Sequence, residues 1–239
     1  MTILVENDGN VRIIALNRPE KLNAITLEMA TELNSVVKDA ANDDNVKCVV
    51  ITGKGRAFSS GGDVNEMGEH LPRAGDLFYK LTEQIHSCFE TILTMRKPVL
   101  NSLNGIIAGG ALGIALAGDY RIATESTRML SAHFKRGFVP AGGATYLLPR
   151  LIGLGRTQSL FFGGKMLNSS EMLKWGLVHE VVEDKYLNKR TLEMAKELAS
   201  GPADAIVETK RLLLESETLS LEKELKKERE KNRESGNSG

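Results

Sequence analysis

Asn104–Asp119 reads NGIIAGGALGIALAGD, and the rest of the chain is organised around this stretch. It follows the strand-like run 98–103 and has glycines at positions 105, 109, 110, 113 and 118 among small apolar residues. Each glycine inside an ordinary helix costs roughly 1 kcal/mol relative to alanine, so this density indicates close approach of the backbone to a ligand or to another helix. We predict that Gly109 and Gly110 open a buried helix over 111–117, with free N–H groups aimed at a polarised oxygen. A tightly packed core helix without a ligand is the alternative.

The composition is that of a globular protein with one large domain. The 239 residues are 41% hydrophobic and 26% charged, and their formal net charge is zero, which leaves enough apolar material for a sizeable core. Lysine and arginine are interleaved with aspartate and glutamate except near the C-terminus, so the sequence favours no nucleic-acid partner. It has no apolar run of membrane-spanning length and no signal-peptide pattern. We therefore expect a cytoplasmic protein without a membrane partner.

Cysteine and histidine are too scattered to predict a metal site. Cys48 and Cys88 lie in apolar periodic segments and are expected to be buried free thiols in a reducing compartment. The histidines at 70, 86, 133 and 179 do not have the spacing of a ligand pair. The sequence therefore predicts no metal.

A unit of strand, glycine-rich loop and helix recurs along the chain. A hairpin is predicted over 3–16, because β-branched runs flank the turn at 7–10, and Thr26 is a candidate N-cap for the next helix. The apolar run Cys48–Thr52 is typical of a strand buried on both faces, and it leads into the glycine-rich loop 53–63. Further strands are predicted over 99–103, 120–124 and 129–132, helices over 76–95 and from 145, and a third glycine-rich loop over 137–143.

The C-terminal part of the sequence is helical and charged. Helices are predicted to begin at Pro202 and at Ser220, and no linker rich enough to separate independent domains precedes them. We expect one core over residues 1–184 and a helical appendage over residues 185–239.

Two of the glycine-rich loops each follow a strand, so their N–H groups could converge on one point. Two backbone donors on one carbonyl oxygen form an oxyanion hole, which stabilises the enolate or the tetrahedral anion of a thioester. The candidate donors are Gly62 and Gly110. Glycine suits these positions because the backbone must approach the substrate without an intervening side chain.

Motifs over nearly the whole chain resemble the crotonase superfamily, the enoyl-CoA hydratases and isomerases. The similar segments include NRPEKLNA at 17–24, GRAFSSGGDV at 55–64 and the glycine stretch at 104–119. The loop GFVPAGG at 137–143 and the run LLPRLIGL at 147–154 are most similar to phenylacetate-pathway-type enoyl-CoA isomerases. The resemblance implies an α/β fold with a ββα spiral core and a helical C-terminal segment used in trimerisation. It also implies a coenzyme A thioester as substrate with no separate cofactor, and a homotrimer or a dimer of trimers.

The resemblance also places functional residues on this sequence. Gly62 and Gly110 match the two oxyanion donors of the family. The loop that holds the adenine and the start of the acyl chain falls on 60–65, near the turn at 21–24. The substrate-binding positions implied in this way are Lys21, Leu22, Ala24, Ser60, Gly61, Asp63, Val64, Asn65, Gly109, Gly113 and Ala141.

The acid–base positions depart from the family pattern. The two glutamates of the hydratases match Gly113 and His133, and the aspartate of the related isomerases matches Ala141. His133 is titratable near neutral pH and is therefore a candidate catalytic residue, while a buried histidine bonded to the backbone is its structural alternative. Glu66, Glu69 and His70 are further candidate proton carriers, although a solvated loop is the simpler interpretation of them.

Three functions remain open from the sequence. The first is hydratase or isomerase chemistry with an unusual proton carrier. The second is decarboxylation of a malonyl- or glutaconyl-type thioester, in which Phe134, Phe138 and Val139 would supply an apolar acyl pocket. The third is acyl-CoA binding without turnover.

Overall fold

Two β-sheets form the centre of the molecule in a computed structural model that describes residues 1–70, 72–134 and 137–237. Strands are numbered in chain order. The six-stranded sheet contains, in spatial order, β1 (Ile3–Asp8), β2 (Val11–Leu16), β3 (Cys48–Gly53), β5 (Val99–Leu103), β7 (Tyr120–Thr124) and β10 (Glu180–Val182). The four-stranded sheet contains β4 (Ala57–Ser59), β6 (Ile106–Ala108), β8 (Arg128–Leu130) and β9 (Met166–Asn168).

The two sheets are built by a repeated ββα unit. In three successive units one strand enters the larger sheet, the next enters the smaller sheet, and a helix follows. The strand pairs of these units are β3 with β4, β5 with β6, and β7 with β8. Neighbouring strands from these units pair in parallel within each sheet, whereas β1–β2 and β8–β9 are antiparallel. The predicted α/β fold with a ββα spiral core is therefore confirmed.

Helices connect the strands and form the C-terminal part of the chain. They are α1 (Leu27–Asn42), α2 (Val64–Glu69), α3 (Ala74–Thr94), α4 (Ala111–Leu116), α5 (Ala144–Gly163), α6 (Ser169–Lys174), α7 (Leu187–Ser200), α8 (Ala203–Glu215) and α9 (Leu221–Asn237). Helix α5 is kinked at Gly153, where φ is +77°. Within the described ranges, no helix combines the length and the apolar character needed to span a bilayer.

Local signals in the sequence located most of these elements. Thr26 caps α1 as predicted, because its side chain accepts a hydrogen bond from the N–H of Met29. The hairpin turns at Gly9, whose φ of +61° lies in the left-handed region. The strand predicted over 129–132 is shorter and ends at Leu130.

Both faces of the larger sheet are buried. One face packs against the main core, and α7 covers the other face through Leu187 and Ala195. This two-sided burial explains the continuously apolar run at Cys48–Thr52. Cys48 and Cys88 are free and buried, and burial raises the pKa of each thiol to about 12.

A lysine side chain attaches helix α8 to the core. Lys210 Nζ donates to the carbonyl oxygens of Ile92 at 2.7 Å and Lys97 at 3.3 Å and to Asp119 Oδ2 at 2.8 Å. The division into 1–184 and 185–239 stays a prediction.

Candidate active site

The loops that follow β4 and β6 lie side by side, because these two strands are parallel neighbours in the smaller sheet. Gly61 has a φ of +91° and Gly109 a φ of +54°, and L-residues with side chains rarely adopt either. A side-chain carbon added at Gly61 would lie 2.8 Å from the carbonyl oxygen of Ala108 and 3.3 Å from the nitrogen of Gly110. The two loops therefore touch backbone to backbone, which requires glycine at this point.

Two N–H groups at this junction have no acceptor among the residues that the structure describes. On the first loop, Asp63 N donates to Ile25 O, and Ile25 N donates to Gly61 O, so the loop is held on both sides of Gly62. In the part of the chain that the structure describes, no protein group accepts a hydrogen bond from Gly62 N–H or Gly110 N–H. A carbon added at Gly110 would meet no atom within 4 Å, so this position opens onto empty space. Such an arrangement can receive a carbonyl oxygen from a ligand.

That space is a cavity of about 280 Å³. Most of its wall is apolar, and its polar side chains, among the described residues, are those of Ser60, Thr82 and His133. The Thr82 hydroxyl donates to carbonyl oxygens of its own helix, at 2.7 Å and 3.0 Å. The other lining residues are Gly62, Val64, Met67, Phe78, Leu81, Gly109, Gly110, Ala132, Phe138, Val139 and Ala141.

His133 is the titratable side chain in this wall, among the residues that the structure describes. It is 8% exposed, and burial lowers its pKa, so the imidazole is neutral at neutral pH. Its Nδ1 lies 3.2 Å from Ser131 Oγ. When Nδ1 carries the proton and donates to Ser131, Nε2 is free to accept a proton from a ligand.

A second cavity of about 170 Å³ adjoins the first and shares Ser60, Gly62 and Val64 with it. Lys21, Ala24, Asp63 and Asn65 complete its lining. Leu22 lies outside this lining and contributes its carbonyl oxygen, which accepts the N–H of Ser60 at 2.9 Å.

Asp63 fixes the loop between the two cavities. Its carboxylate accepts Arg18 Nη1 at 2.9 Å and the N–H groups of Asn65 and Glu66, so it also caps α2. Burial acts to raise the pKa of Asp63, but these hydrogen bonds outweigh burial and hold the pKa below its usual value. The carboxylate is therefore ionised and structural at neutral pH.

Gly113 is buried behind the cavity wall. A side-chain carbon there would overlap the carbonyl oxygen of Gly142 and would lie 2.5 Å from its carbonyl carbon. Gly113 thus packs against the loop that carries Ala141, whereas Ala141 itself lines the cavity.

The other candidate proton carriers point elsewhere. The Glu66 carboxylate accepts the N–H of Leu27 at the start of α1, at 3.1 Å, and His70 Nδ1 lies 2.7 Å from the carbonyl oxygen of Glu66. Neither of these side chains, nor that of Glu69, lines the cavity. Phe134 is exposed and packs against Phe162, so it is not part of the apolar wall that Phe138 and Val139 help to form.

Sequence reasoning missed the wall supplied by α2 and α3. Met67 comes from α2, and Phe78, Leu81 and Thr82 come from α3. The available signal was helical spacing, because Phe78 precedes Leu81, a buried residue of α3, by three residues. In the described ranges, no three or more His, Cys, Asp or Glu residues come together as a metal site would require.

Comparisons with known proteins agree on one family. A family model described as enoyl-CoA hydratase/isomerase matches residues 6–238. The 1,2-epoxyphenylacetyl-CoA isomerase of Escherichia coli is 32% identical over 99% of this chain and 90% of its own length. The short-chain-enoyl-CoA hydratase of Clostridium acetobutylicum is 32% identical over 85% of this chain and 77% of its own length. The crystal structure of an enoyl-CoA hydratase from Bacillus anthracis superposes with a TM-score of 0.91 at 28% identity, covering 98% of this chain and 90% of that one.

Proposed function

The chain belongs to the enoyl-CoA hydratase/isomerase family, and we propose that it moves a double bond in an enoyl-CoA thioester, with His133 as the proton carrier. The observation that carries the proposal is that Gly62 and Gly110 both line the apolar cavity, with N–H groups that find no acceptor among the described residues. In this proposal the acyl chain occupies the apolar cavity beside His133. The start of the coenzyme A moiety lies in the cavity lined by Lys21 and Asn65.

The oxyanion hole would stabilise the charge that forms during the reaction. The thioester oxygen accepts a hydrogen bond from each N–H group. It becomes more negative when a proton leaves C2, the carbon next to the thioester carbonyl. Donors fixed in advance stabilise this enolate more than the starting thioester, by about 3 kcal/mol for each donor. The backbone contact between the loops holds Gly62 and Gly110 in place before substrate binds.

One neutral base is sufficient for isomerisation. Nε2 of His133 accepts the proton from C2 of a 3-enoyl thioester as the double bond moves from C3–C4 to C2–C3. The imidazolium then returns the proton to C4, so no proton is gained or lost overall. The lowered pKa of His133 keeps the base available at neutral pH.

The same wall is less suited to hydration. Adding water across a double bond requires a positioned water molecule and polar side chains that face it. Among the described lining residues the Thr82 hydroxyl already donates to its own helix and His133 is the only titratable side chain, so the wall supplies one acid–base group where the family's hydratases use two glutamates. We therefore propose isomerisation ahead of hydration, with the usual catalytic carboxylates absent.

The test is to supply the purified protein with a 3-enoyl-CoA, crotonyl-CoA and methylmalonyl-CoA in parallel. Chromatography detects the isomer of the first, and mass spectrometry detects water added to the second or carbon dioxide lost from the third. We expect conversion of the 3-enoyl-CoA, and a loss of at least 10²-fold in His133→Gln. Loss of carbon dioxide from methylmalonyl-CoA alone would identify a decarboxylase, and binding of all three without conversion would identify a non-catalytic acyl-CoA-binding protein.

We further propose a homotrimer or a dimer of trimers, which the family resemblance implies for the helical segment 185–239. Light scattering on the eluting protein measures this mass directly, and a monomer would contradict the proposal.

A further inference from the structure

Helix α3 is hydrogen-bonded to the loop that carries Ala141. His86 on α3 lies outside both cavities, and its Nε2 accepts the N–H of Gly142 with 3.2 Å between the two nitrogens. To accept this bond the ring must be neutral, with its proton on Nδ1. His133 lines the apolar cavity, whereas His86 lies behind the loop that carries Ala141.

Gly142 is enclosed on several sides. Its φ is +71°, and that of Gly143 is +83°, so two successive residues adopt the left-handed region. A side-chain carbon at Gly142 would overlap the carbonyl oxygen of Gly110 and would lie 3.5 Å from Ile85 Cγ2. Gly142 is thus held between α3 and the first turn of α4.

This contact links His86 to the oxyanion donor. The carbonyl oxygen of Gly142 packs against Gly113, and its α-carbon packs against the carbonyl oxygen of Gly110. A shift of Gly142 would therefore move the backbone around Gly110, whose N–H is proposed to bind the thioester oxygen. Two glycines in succession have much conformational freedom to lose, so an external acceptor is needed to fix them.

We propose that His86 is a positioning residue, which holds Gly142 and through it the Gly110 N–H and the Ala141 wall. The inference rests on the proposed function, because it concerns the same oxyanion site. His86 lines neither of the two cavities, so in this proposal it affects how well the enolate is stabilised and leaves coenzyme A binding unchanged.

Two substitutions separate this role from general stability. In His86→Gln the amide oxygen is as many bonds from Cα as Nε2 is in histidine, so it can still accept the Gly142 N–H. In His86→Leu this side-chain acceptor is lost. Glu90→Leu is the matched control, because Glu90 is exposed one turn further along α3. For each protein, kcat and KM are measured with a 3-enoyl-CoA, and hydrogen exchange is measured by mass spectrometry on the peptide that covers residues 137–147.

We expect kcat to fall about fivefold in His86→Leu, as for the loss of one neutral hydrogen bond, with KM unchanged and faster exchange in the peptide. His86→Gln should restore kcat and exchange protection, and Glu90→Leu should match the wild type. If the wild type isomerises a 3-enoyl-CoA and His86→Leu has the same kcat, this inference is wrong and the proposed function stands. Failure of the wild type to isomerise any 3-enoyl-CoA would overturn the proposed function, and the inference with it.

Discussion

Replacing Gly113 by alanine is expected to destabilise the protein, although Gly113 lies within helix α4. Helix propensity alone would favour alanine by about 1 kcal/mol. The added carbon, however, would overlap the carbonyl oxygen of Gly142, and it would lie 2.5 Å from its carbonyl carbon and 3.2 Å from Ala144 N. All three are backbone atoms, so no side-chain rotation relieves the overlap.

The magnitude follows from these opposing terms. Overpacking in a close-packed interior costs up to about 3 kcal/mol, and a clash with backbone belongs at the upper end of that range. Subtracting the propensity gain leaves a net loss of about 2 kcal/mol. In a chain of this length that corresponds to a fall of about 4–8 °C in Tm.

Gly110→Ala, one turn earlier, is the matched control. Gly110 has φ −63° and ψ −11°, which alanine adopts freely, and an added carbon would meet no atom within 4 Å. We expect Gly110→Ala to unfold like the wild type and to lose turnover, because its methyl group enters the proposed thioester site. Urea unfolding followed by circular dichroism measures the stability of both variants. A Gly113→Ala protein as stable as the wild type would refute the packing argument.

Three further predictions concern the cavity and the C-terminal helices. Because burial lowers the pKa of His133, activity should be lost on acidification only below the ordinary histidine pKa of about 6.5. The pH profile of kcat/KM measures this. A loss of activity that begins above that pH would contradict the assignment of His133 as the proton carrier. Ala141→Asp should raise isomerase activity on a 3-enoyl-CoA, since a carboxyl group in the apolar wall has a raised pKa and can act as a base. Ala141→Asn is its isosteric control. If Ala141→Asp folds but shows no rise in isomerase activity, position 141 does not face the reacting atoms. Lys210→Met should lower the free energy of unfolding by about 2 kcal/mol, measured by urea unfolding, because it removes the cation that the carbonyl oxygens of Ile92 and Lys97 and the partly exposed Asp119 carboxylate share. An unchanged midpoint would show that solvent replaces these hydrogen bonds.

The features that the sequence alone could predict are those that depend on residues close together in the chain. Glycines at the ends of strands indicated the two adjacent loops that carry Gly62 and Gly110, and Thr26 marked the start of α1 because its side chain caps the helix. The contact of Gly113 with Gly142 joins residues far apart in sequence, and no local pattern records it. Phe78 likewise reaches the cavity through the tertiary packing of α3, which helical spacing alone does not predict.

The packing at Gly113 bears on how one fold carries out more than one reaction. A glutamate cannot be introduced at position 113 by substitution alone, because the carbonyl group of Gly142 fills the space of its first carbon. Position 141 opens into the cavity, and position 133 already presents an imidazole there. We infer that the path of the loop 137–143 decides which acid–base side chains positions 113 and 141 could carry. A change from the proposed isomerisation to two-carboxylate hydration would require that loop to move away from α4, together with the substitutions themselves.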